Sequence, residues 1–168
     1  CSHNGNITME ERAYNICVGF GPDSLDALAC ILGHELIHYY FDHIGSNISF
    51  TRLSNEKSDS TYKLYGKTQE YDADLKGNLL AAMAGYNSLN IYDLVLERIY
   101  TGYWPEGNKD ENYPTLHERI EGAKKKKEEA ADLYLAFKLA NNLLIVKEYD
   151  RALSFYEYIA LSYGTAEI

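Results

Sequence analysis

The chain has 168 residues, which suits one domain or one domain plus a small appendage. Apolar residues make up 46% and charged residues 24% of it, a composition typical of soluble globular proteins that excludes a disordered or fibrous one. The net charge of −9 argues against a nucleic-acid partner, because phosphate binding depends on clustered Lys and Arg. No apolar run approaches the roughly 20 residues that a transmembrane helix needs.

The three cysteines form no Cys-x-x-Cys pair and are too few for a disulfide framework. We interpret Cys17 and Cys30 as small core residues. A chain that begins with Cys1 fits a processed product, a piece of a longer protein or a lipid-bearing N-terminal cysteine. Periplasmic, lipoprotein and cytoplasmic locations therefore all stay open.

The first part of the chain is predicted to contain the end of a strand and two helices. Residues 5–9 are expected to end the strand. Residues 10–20 carry apolar side chains at the spacing of one helix face, with a strand over 14–20 as the alternative. The turn at residues 21–24 supplies an N-cap for a helix over 25–42. Because nearly every residue of that helix is apolar or small, we expect it to be buried.

The middle of the chain is predicted to alternate helices with polar stretches. Residues 45–68 are rich in Ser, Asn, Lys and Thr, and a connection of that length is usually functional, for example a lid, or mobile. Helices are predicted over 68–85 and 89–100, followed by a loop over 102–110. The next helix is expected to begin at Pro114, which suits the first position of a helix.

Residues 133–168 are predicted to form a helical hairpin. Apolar residues from Leu139 to Tyr156 resemble much of a tetratricopeptide repeat, although Ala136 and Gly164 stand where that repeat has its Trp and closing Pro. One such repeat cannot bury its own apolar face. We therefore expect the hairpin to pack on the rest of the chain, on a second copy, on a protein partner or on further repeats. Two ordinary packing helices are the alternative.

Residues 34–38 form a His-Glu-x-x-His pentad within the buried helix. On a helix, His34 and His38 lie one above the other on one face, so that both imidazoles can bind one ion while Glu35 points beside it. Zinc favours such nitrogen ligands and keeps one position open for water at catalytic sites. Burying these groups without partners would be costly, so the pentad predicts a Zn²⁺ site with Glu35 as the catalytic carboxylate. Two satisfied core histidines are the alternative.

The third ligand is expected on the helix that follows. Glu70, Ala73 and Asp74 share one helix face, and the small Ala73 permits a close approach of two helices. Glu70 would then bind the zinc, and Asp74 would accept the outer N–H of a ligating imidazole, which we expect to be His34. His43 lies at the wrong spacing for a third histidine ligand and is expected near the helix end.

The pentad, followed by Glu-x-x-Ala-Asp at residues 70–74, resembles the zinc peptidases of the CAAX prenyl protease family and its soluble bacterial relatives. The resemblance covers roughly residues 5–122. The family also has a later His-Pro-x-x-x-x-Arg-Ile segment, and residues 113–120 stand in its register, with Tyr113 where the family has His. The resemblance implies a gluzincin with a zincin-like fold, whose upstream strands would largely precede Cys1.

This resemblance implies a zinc-dependent endopeptidase that hydrolyses peptide bonds by a metal-activated water, with Glu35 as general base and then acid. Tyr113 would donate a hydrogen bond to the oxyanion, with His117 as its substitute. Arg119 would be either a helper there or a structural ion-pair partner. The alternative is a catalytically silent, zinc-stabilised scaffold that uses its hairpin for protein–protein interaction.

The predicted fold is therefore mainly α. It comprises a zincin-like metallopeptidase domain over residues 1–122, with little strand, and a helical tail over 123–168 with one tetratricopeptide-like repeat. The expected partners are a protein or peptide substrate and, through the hairpin, a protein partner or a second copy of the chain.

Overall fold

The computed structural model describes residues 6–41, 59–105 and 114–164, and in these ranges it contains six α-helices and no strand. The predicted mainly α fold is confirmed. No helix in these ranges is long and apolar enough to cross a membrane. The helices are α1 Glu11–Val18, α2 Ser24–Tyr40, α3 Asp59–Met83, α4 Ser88–Tyr103, α5 Leu116–Ile145 and α6 Tyr149–Gly164, with a 3₁₀ turn at Gly21–Asp23 before α2.

Two predicted elements differ from the structure. Residues 6–10 have no regular secondary structure, so the strand end predicted at 5–9 is wrong over residues 6–9. The described residues offer no other strand with which it could pair. α3 begins at Asp59, so the predicted loop 45–68 is wrong from residue 59 onward, and its part before that lies outside the described residues. The first residues of α3 are polar, but they continue a helix whose later residues are buried. Because helix growth is cooperative once a first turn exists, these polar residues can join the helix.

The start of α5 is set by a capping box at Thr115, and the prediction that the helix begins at Pro114 is wrong by two residues. Backbone N of Glu118 donates to Thr115 Oγ1 at 3.2 Å, while backbone N of Thr115 donates to Glu118 Oε2 at 2.7 Å. Lys67 of α3 adds an ion pair to Glu118 at 2.7 Å. These contacts fix the first turn of the helix that carries Arg119.

The main apolar core lies where α1, α2 and α4 meet. Cys17 and Cys30 are fully buried free thiols in this core, as predicted. Burial raises the pKa of Cys30 to about 12, so this thiol stays protonated. The buried members of the core are Cys17, Phe20, Ala27, Cys30, Tyr92, Val95, Leu96 and Tyr100.

The backbones of α2 and α3 cross in direct contact at Gly33 and Gly77. A Cβ atom placed on Gly77 would lie 2.5 Å from the backbone nitrogen of His34, a separation that real side chains do not adopt. Ala73 lies one turn earlier on α3 and is fully buried, in keeping with the close approach predicted there. Only glycine fits at this crossing, and the crossing lies immediately beside His34.

The tail forms the predicted helical hairpin, but its first helix is much longer than expected. α5 runs for 30 residues and continues without a break through residues 122 and 123, so the proposed division into two domains stays a prediction. Lys147, with a φ of 64°, turns the chain back into α6. Tyr156 of α6 donates a hydrogen bond to Asn141 of α5 at 2.5 Å.

The hairpin leaves part of its apolar surface exposed. Ala152 is fully buried, but Leu139 and Leu144 are each 42% exposed, so the described part of the chain leaves them partly uncovered. Seven further large apolar residues in the described part of the hairpin are exposed: Leu135, Ile145, Val146, Tyr149, Leu153, Tyr158 and Leu161. A partner for this surface stays a prediction.

We expect Gly77→Ala to lower the free energy of unfolding by about 1–3 kcal/mol, as overpacking of a well-packed contact does. The matched control is Gly122→Ala, where the added methyl group meets the Tyr71 ring at 3.1 Å rather than a backbone. A ring can move by a few tenths of an ångström, and alanine is the better helix former, so the control should change stability by less than about 1 kcal/mol. Urea denaturation measures both variants. Equal stability of the two would contradict the tight crossing.

Candidate metal centre

Three side chains from α2 and α3 converge on one point. His34 and His38 lie one turn apart on α2, and their Nε2 atoms are 2.9 Å from each other. The Glu70 carboxylate of α3 faces both rings, with Oε2 3.5 Å from Nε2 of His34 and Oε1 3.5 Å from Nε2 of His38. One potential ligand atom of each residue lies within 4.8 Å of the others. The structure thus brings together the three side chains that the sequence suggests as metal ligands.

The spacing of these atoms fits a bound zinc ion. Two ligand atoms that each lie about 2.05 Å from a tetrahedral ion are about 3.3 Å apart. This distance lies between the 2.9 Å that separates the two Nε2 atoms and the 3.5 Å from each Nε2 atom to a Glu70 oxygen. A carboxylate at 3.5 Å is too far away for a strong hydrogen bond to either ring. The Glu70 oxygens therefore approach the same space as the two imidazoles without bonding directly to them.

Asp74 fixes the tautomer of His34. Its Oδ1 accepts a hydrogen bond from His34 Nδ1 at 2.9 Å, the contact expected from the sequence. Burial alone would raise the pKa of this carboxyl, but the charge of Arg119 and the contact with His34 hold it well below its usual range. An ionised Asp74 requires a proton on Nδ1 of His34. The Nε2 atom of that ring then carries the lone pair that a metal ion needs.

Arg119 of α5 is the ionic partner of Asp74. Its Nε donates to Asp74 Oδ2 at 2.8 Å, and its Nη2 donates to Asp74 Oδ1. Its Nη1 is also 3.5 Å from Glu70 Oε2. Burial alone would lower the pKa of the guanidinium, but the charge of Asp74 raises it well above its ordinary value. Of the two roles left open by the sequence, this geometry favours the structural ion pair.

Sequence reasoning missed Tyr92, which completes the network around Asp74. Its hydroxyl group donates to Asp74 Oδ1 and lies 3.4 Å from Arg119 Nη2. Burial and the charge of Asp74 raise the pKa of the phenol far above its usual value, so it stays a donor. The one signal in the sequence is a phenol on the apolar face of α4, because a buried tyrosine hydroxyl usually has a hydrogen-bond partner.

The structure does not place the three other residues considered in the sequence among the converging side chains. Tyr113 and His43 are outside the described residues. His117, the suggested substitute for Tyr113, is exposed on the first turn of α5.

A cleft of about 230 Å³ opens beside the candidate ligands, and both His34 and Glu35 border it. A larger cavity of about 340 Å³ borders Asp74 and touches neither His34 nor Glu35. The smaller cleft is the relevant one for chemistry, because one candidate ligand, His34, and Glu35 both border it. A histidine pair faced by a carboxylate, beside a cleft that His34 and the adjacent acid Glu35 border, defines a helical protein with a candidate metal centre.

Comparison with known proteins adds no relative. No family model matches this chain, and no curated protein or solved structure is significantly similar to it. The resemblance to the CAAX prenyl protease family therefore rests on the sequence motifs alone.

We expect the protein to bind one zinc ion per chain. His38→Ala should lower the zinc affinity by about 100-fold or more. Losing a hydrogen bond that supports a ligand costs about 10–100-fold in affinity, and losing the ligand itself should cost more. Glu70→Ala should act in the same direction. His117→Ala is the matched control, since it removes an exposed histidine, and should leave the affinity unchanged. Competition titration with a zinc chelator measures all three. Full affinity in the Glu70→Ala protein would remove Glu70 as a ligand.

Asp74→Asn should weaken zinc binding by about 10–100-fold while leaving the ligands in place, because an amide orients the His34 ring less strongly than a carboxylate. Tyr92→Phe removes only one donor to Asp74 and should have a smaller effect. Circular dichroism must first show that the Asp74→Asn protein is folded, because the substitution leaves the buried Arg119 with only its longer ion pair to Glu70. Unchanged zinc affinity in the folded variant would make Asp74 a purely structural residue.

Proposed function

We propose that this protein is a zinc-dependent peptidase in which His34, His38 and Glu70 hold the metal ion and Glu35 carries the proton. The supporting observation is the convergence of two imidazole nitrogens and one carboxylate beside a cleft that Glu35 borders. Two imidazoles with a single carboxylate suit zinc better than magnesium or calcium, which prefer sets of oxygen ligands. The motif resemblance to zinc peptidases supports the same reaction.

Zinc bound there would supply a water of lowered pKa and polarise the scissile carbonyl. The residues of the chain perform the remaining tasks. Glu35 accepts a proton from the attacking water, whose oxygen forms a bond to the carbonyl carbon. The C–N bond then breaks as Glu35 returns that proton to the leaving amine. Asp74 holds the His34 ring throughout, and Arg119 keeps Asp74 ionised.

The hairpin favours a second activity, protein–protein interaction. Its exposed apolar residues lie on both helices and between them, for example Leu139 on α5, Val146 directly after α5 and Leu153 on α6. Exposed apolar patches of sufficient size commonly mark interfaces. Binding of a partner to this surface is compatible with both functions: a peptidase could recruit its substrate there, and a catalytically silent scaffold could bind another protein there.

We expect Glu35→Gln to keep zinc affinity and fold but to lower cleavage of unfolded casein by about 10²–10⁴-fold, because an amide cannot transfer the proton. Glu128→Gln, on the exposed face of α5, is the matched control and should cleave at the parent rate. A chelator should abolish cleavage by the parent protein, and added zinc should restore it. Parent-like cleavage by Glu35→Gln would exclude Glu35 as the base. Absence of cleavage by the zinc-loaded parent would favour the scaffold.

A further inference from the structure

The cavity of about 340 Å³ lies where α3, α4 and α5 meet, and it borders Asp74. Of its lining residues, Tyr92 and Ala130 are buried and form part of its floor, while Leu75 and Leu89 are half-buried and form part of its wall. Ligand sites are commonly clefts of about 300–1,000 Å³ that combine an apolar lining with a few polar groups. Because an apolar cavity of about 150 Å³ can hold one benzene ring, this cavity has room for two fused rings.

A buried polar side chain, Asn78, also borders the cavity and is only 6% exposed. Its Nδ2 donates to the backbone oxygen of Asp74 at 2.7 Å, which fixes the orientation of the amide. Oδ1 of the same amide is buried and has no hydrogen-bond partner among the residues that the structure describes. A buried acceptor without a donor is unfavourable. A ligand that brings an N–H or O–H group to this amide would satisfy it.

Three exposed lysines of α5, residues 125–127, stand at the mouth of the cavity. Lys127 lies about one turn from both Ala123 and Ala130, on the helix face that lines the cavity. Lys126 pairs with Glu129 at 2.7 Å, whereas Lys125 and Lys127 form no ion pair with a residue in the described ranges. Two ammonium groups are therefore in place to meet an anion at the mouth.

The acids that border the cavity leave this positive charge in place. The Asp72 carboxylate is 3.0 Å from the ammonium group of Lys76, and the Asp74 carboxylate is paired with Arg119. Asp93, the remaining acid of the lining, offsets a single lysine. In a chain with a net charge of −9, the mouth is thus a local site of positive charge.

We propose that this cavity binds a small aromatic acid with two fused rings, whose N–H or O–H group meets Asn78 and whose carboxylate lies beside Lys125 and Lys127. The site is separate from the candidate metal ligands and does not depend on the peptidase function. Indole-3-acetate combines two fused rings, one N–H donor and one carboxylate, and is the probe for this site. A ligand of its size reaches a Kd of about 1 mM.

Binding in this cavity should also strengthen zinc binding, because the cavity and the metal centre share Asp74. Asp74 and Tyr92 border the cavity, and both belong to the network that orients His34. A ligand that packs against this arrangement favours it over others, and zinc binding needs the same orientation of His34. Two ligands that favour one arrangement raise each other's affinity by the same factor, here about 5-fold.

The first experiment compares three ligands by calorimetry, with a chelator present so that no carboxylate binds a metal ion. We expect indole-3-acetate to bind about 5–10-fold more tightly than 1-naphthylacetate, which has no N–H group to donate to Asn78. 3-Methylindole, which has no carboxylate, should bind about 3–10-fold more weakly than indole-3-acetate. Equal or tighter binding of 1-naphthylacetate, or no saturable binding of indole-3-acetate in the millimolar range, would overturn the proposal.

A cavity-filling variant tests where the acid binds. Ala123 is half-buried and borders the cavity, so Ala123→Phe should lower the affinity for indole-3-acetate by about 10-fold or more. Ala131→Phe, on an exposed position of α5, is the matched control and should keep the affinity. Leu89→Trp replaces Ala123→Phe if circular dichroism shows that the latter does not fold. Parent-like affinity in a folded cavity-filling variant would overturn the proposal.

A pair of double variants tests the position of the carboxylate. Lys125→Gln with Lys127→Gln should lower the affinity for indole-3-acetate by about 3–10-fold and leave that for 3-methylindole unchanged. Lys124→Gln with Lys138→Gln makes the same change in net charge at exposed positions of α5 that do not border the cavity. This control should bind both ligands like the parent. An equal loss in the two double variants would overturn the assigned position.

The last experiment measures the coupling to zinc. Chelator competition gives the zinc affinity of the parent and of Ala123→Phe, each with and without saturating indole-3-acetate. We expect a rise of about 5-fold in the parent and none in the variant. An equal rise in both proteins would show that the acid binds the metal directly, and no change in the parent would show that the cavity is uncoupled from zinc. Either result overturns the coupling, while the calorimetry decides the site independently.

Discussion

Gly33 and Gly77 let the backbones of α2 and α3 touch beside His34. Glu70 and Asp74 precede Gly77 on α3 by about two turns and one turn, so they lie on the same side of that helix. The separation of the two helices therefore sets the distance between the imidazoles of α2 and the carboxylates of α3. The candidate ligands are held by packed helices, which keep side chains closer to a fixed geometry than loops do.

Asp74 links this helix pair to the rest of the domain. Its carboxylate contacts His34 of α2, Tyr92 of α4 and Arg119 of α5. Removing one partner of a buried ion pair costs about 3–5 kcal/mol, because the other charge remains buried. The group that orients the His34 ring thus also joins α3 to α5. Metal affinity and stability are coupled through Asp74, so a change in either must be interpreted together with the other.

Sequence patterns predicted the parts of this arrangement that depend on local spacing. The pentad and the Glu70 motif follow helical periodicity, and both lie on helices that face each other. The early start of α3 was not predictable, because its first residues are polar and depend on the helix that follows. The network of Tyr92 and Arg119 depends on how α4 and α5 pack on α3, which local patterns do not encode. Gly77 carried no recognised signal, since its role appears only when Gly33 lies against it.

The most direct test of the account is the X-ray absorption spectrum of the protein loaded with one zinc ion. Two imidazoles and one carboxylate, with a further oxygen ligand, should give only nitrogen and oxygen neighbours at about 2.0–2.2 Å, with the multiple scattering typical of two histidine rings. The spectrum should lose one imidazole in the His38→Ala protein. A sulfur neighbour at about 2.3 Å, which would implicate Cys30 or another cysteine, or a parent spectrum without imidazole scattering, would contradict the proposed metal centre.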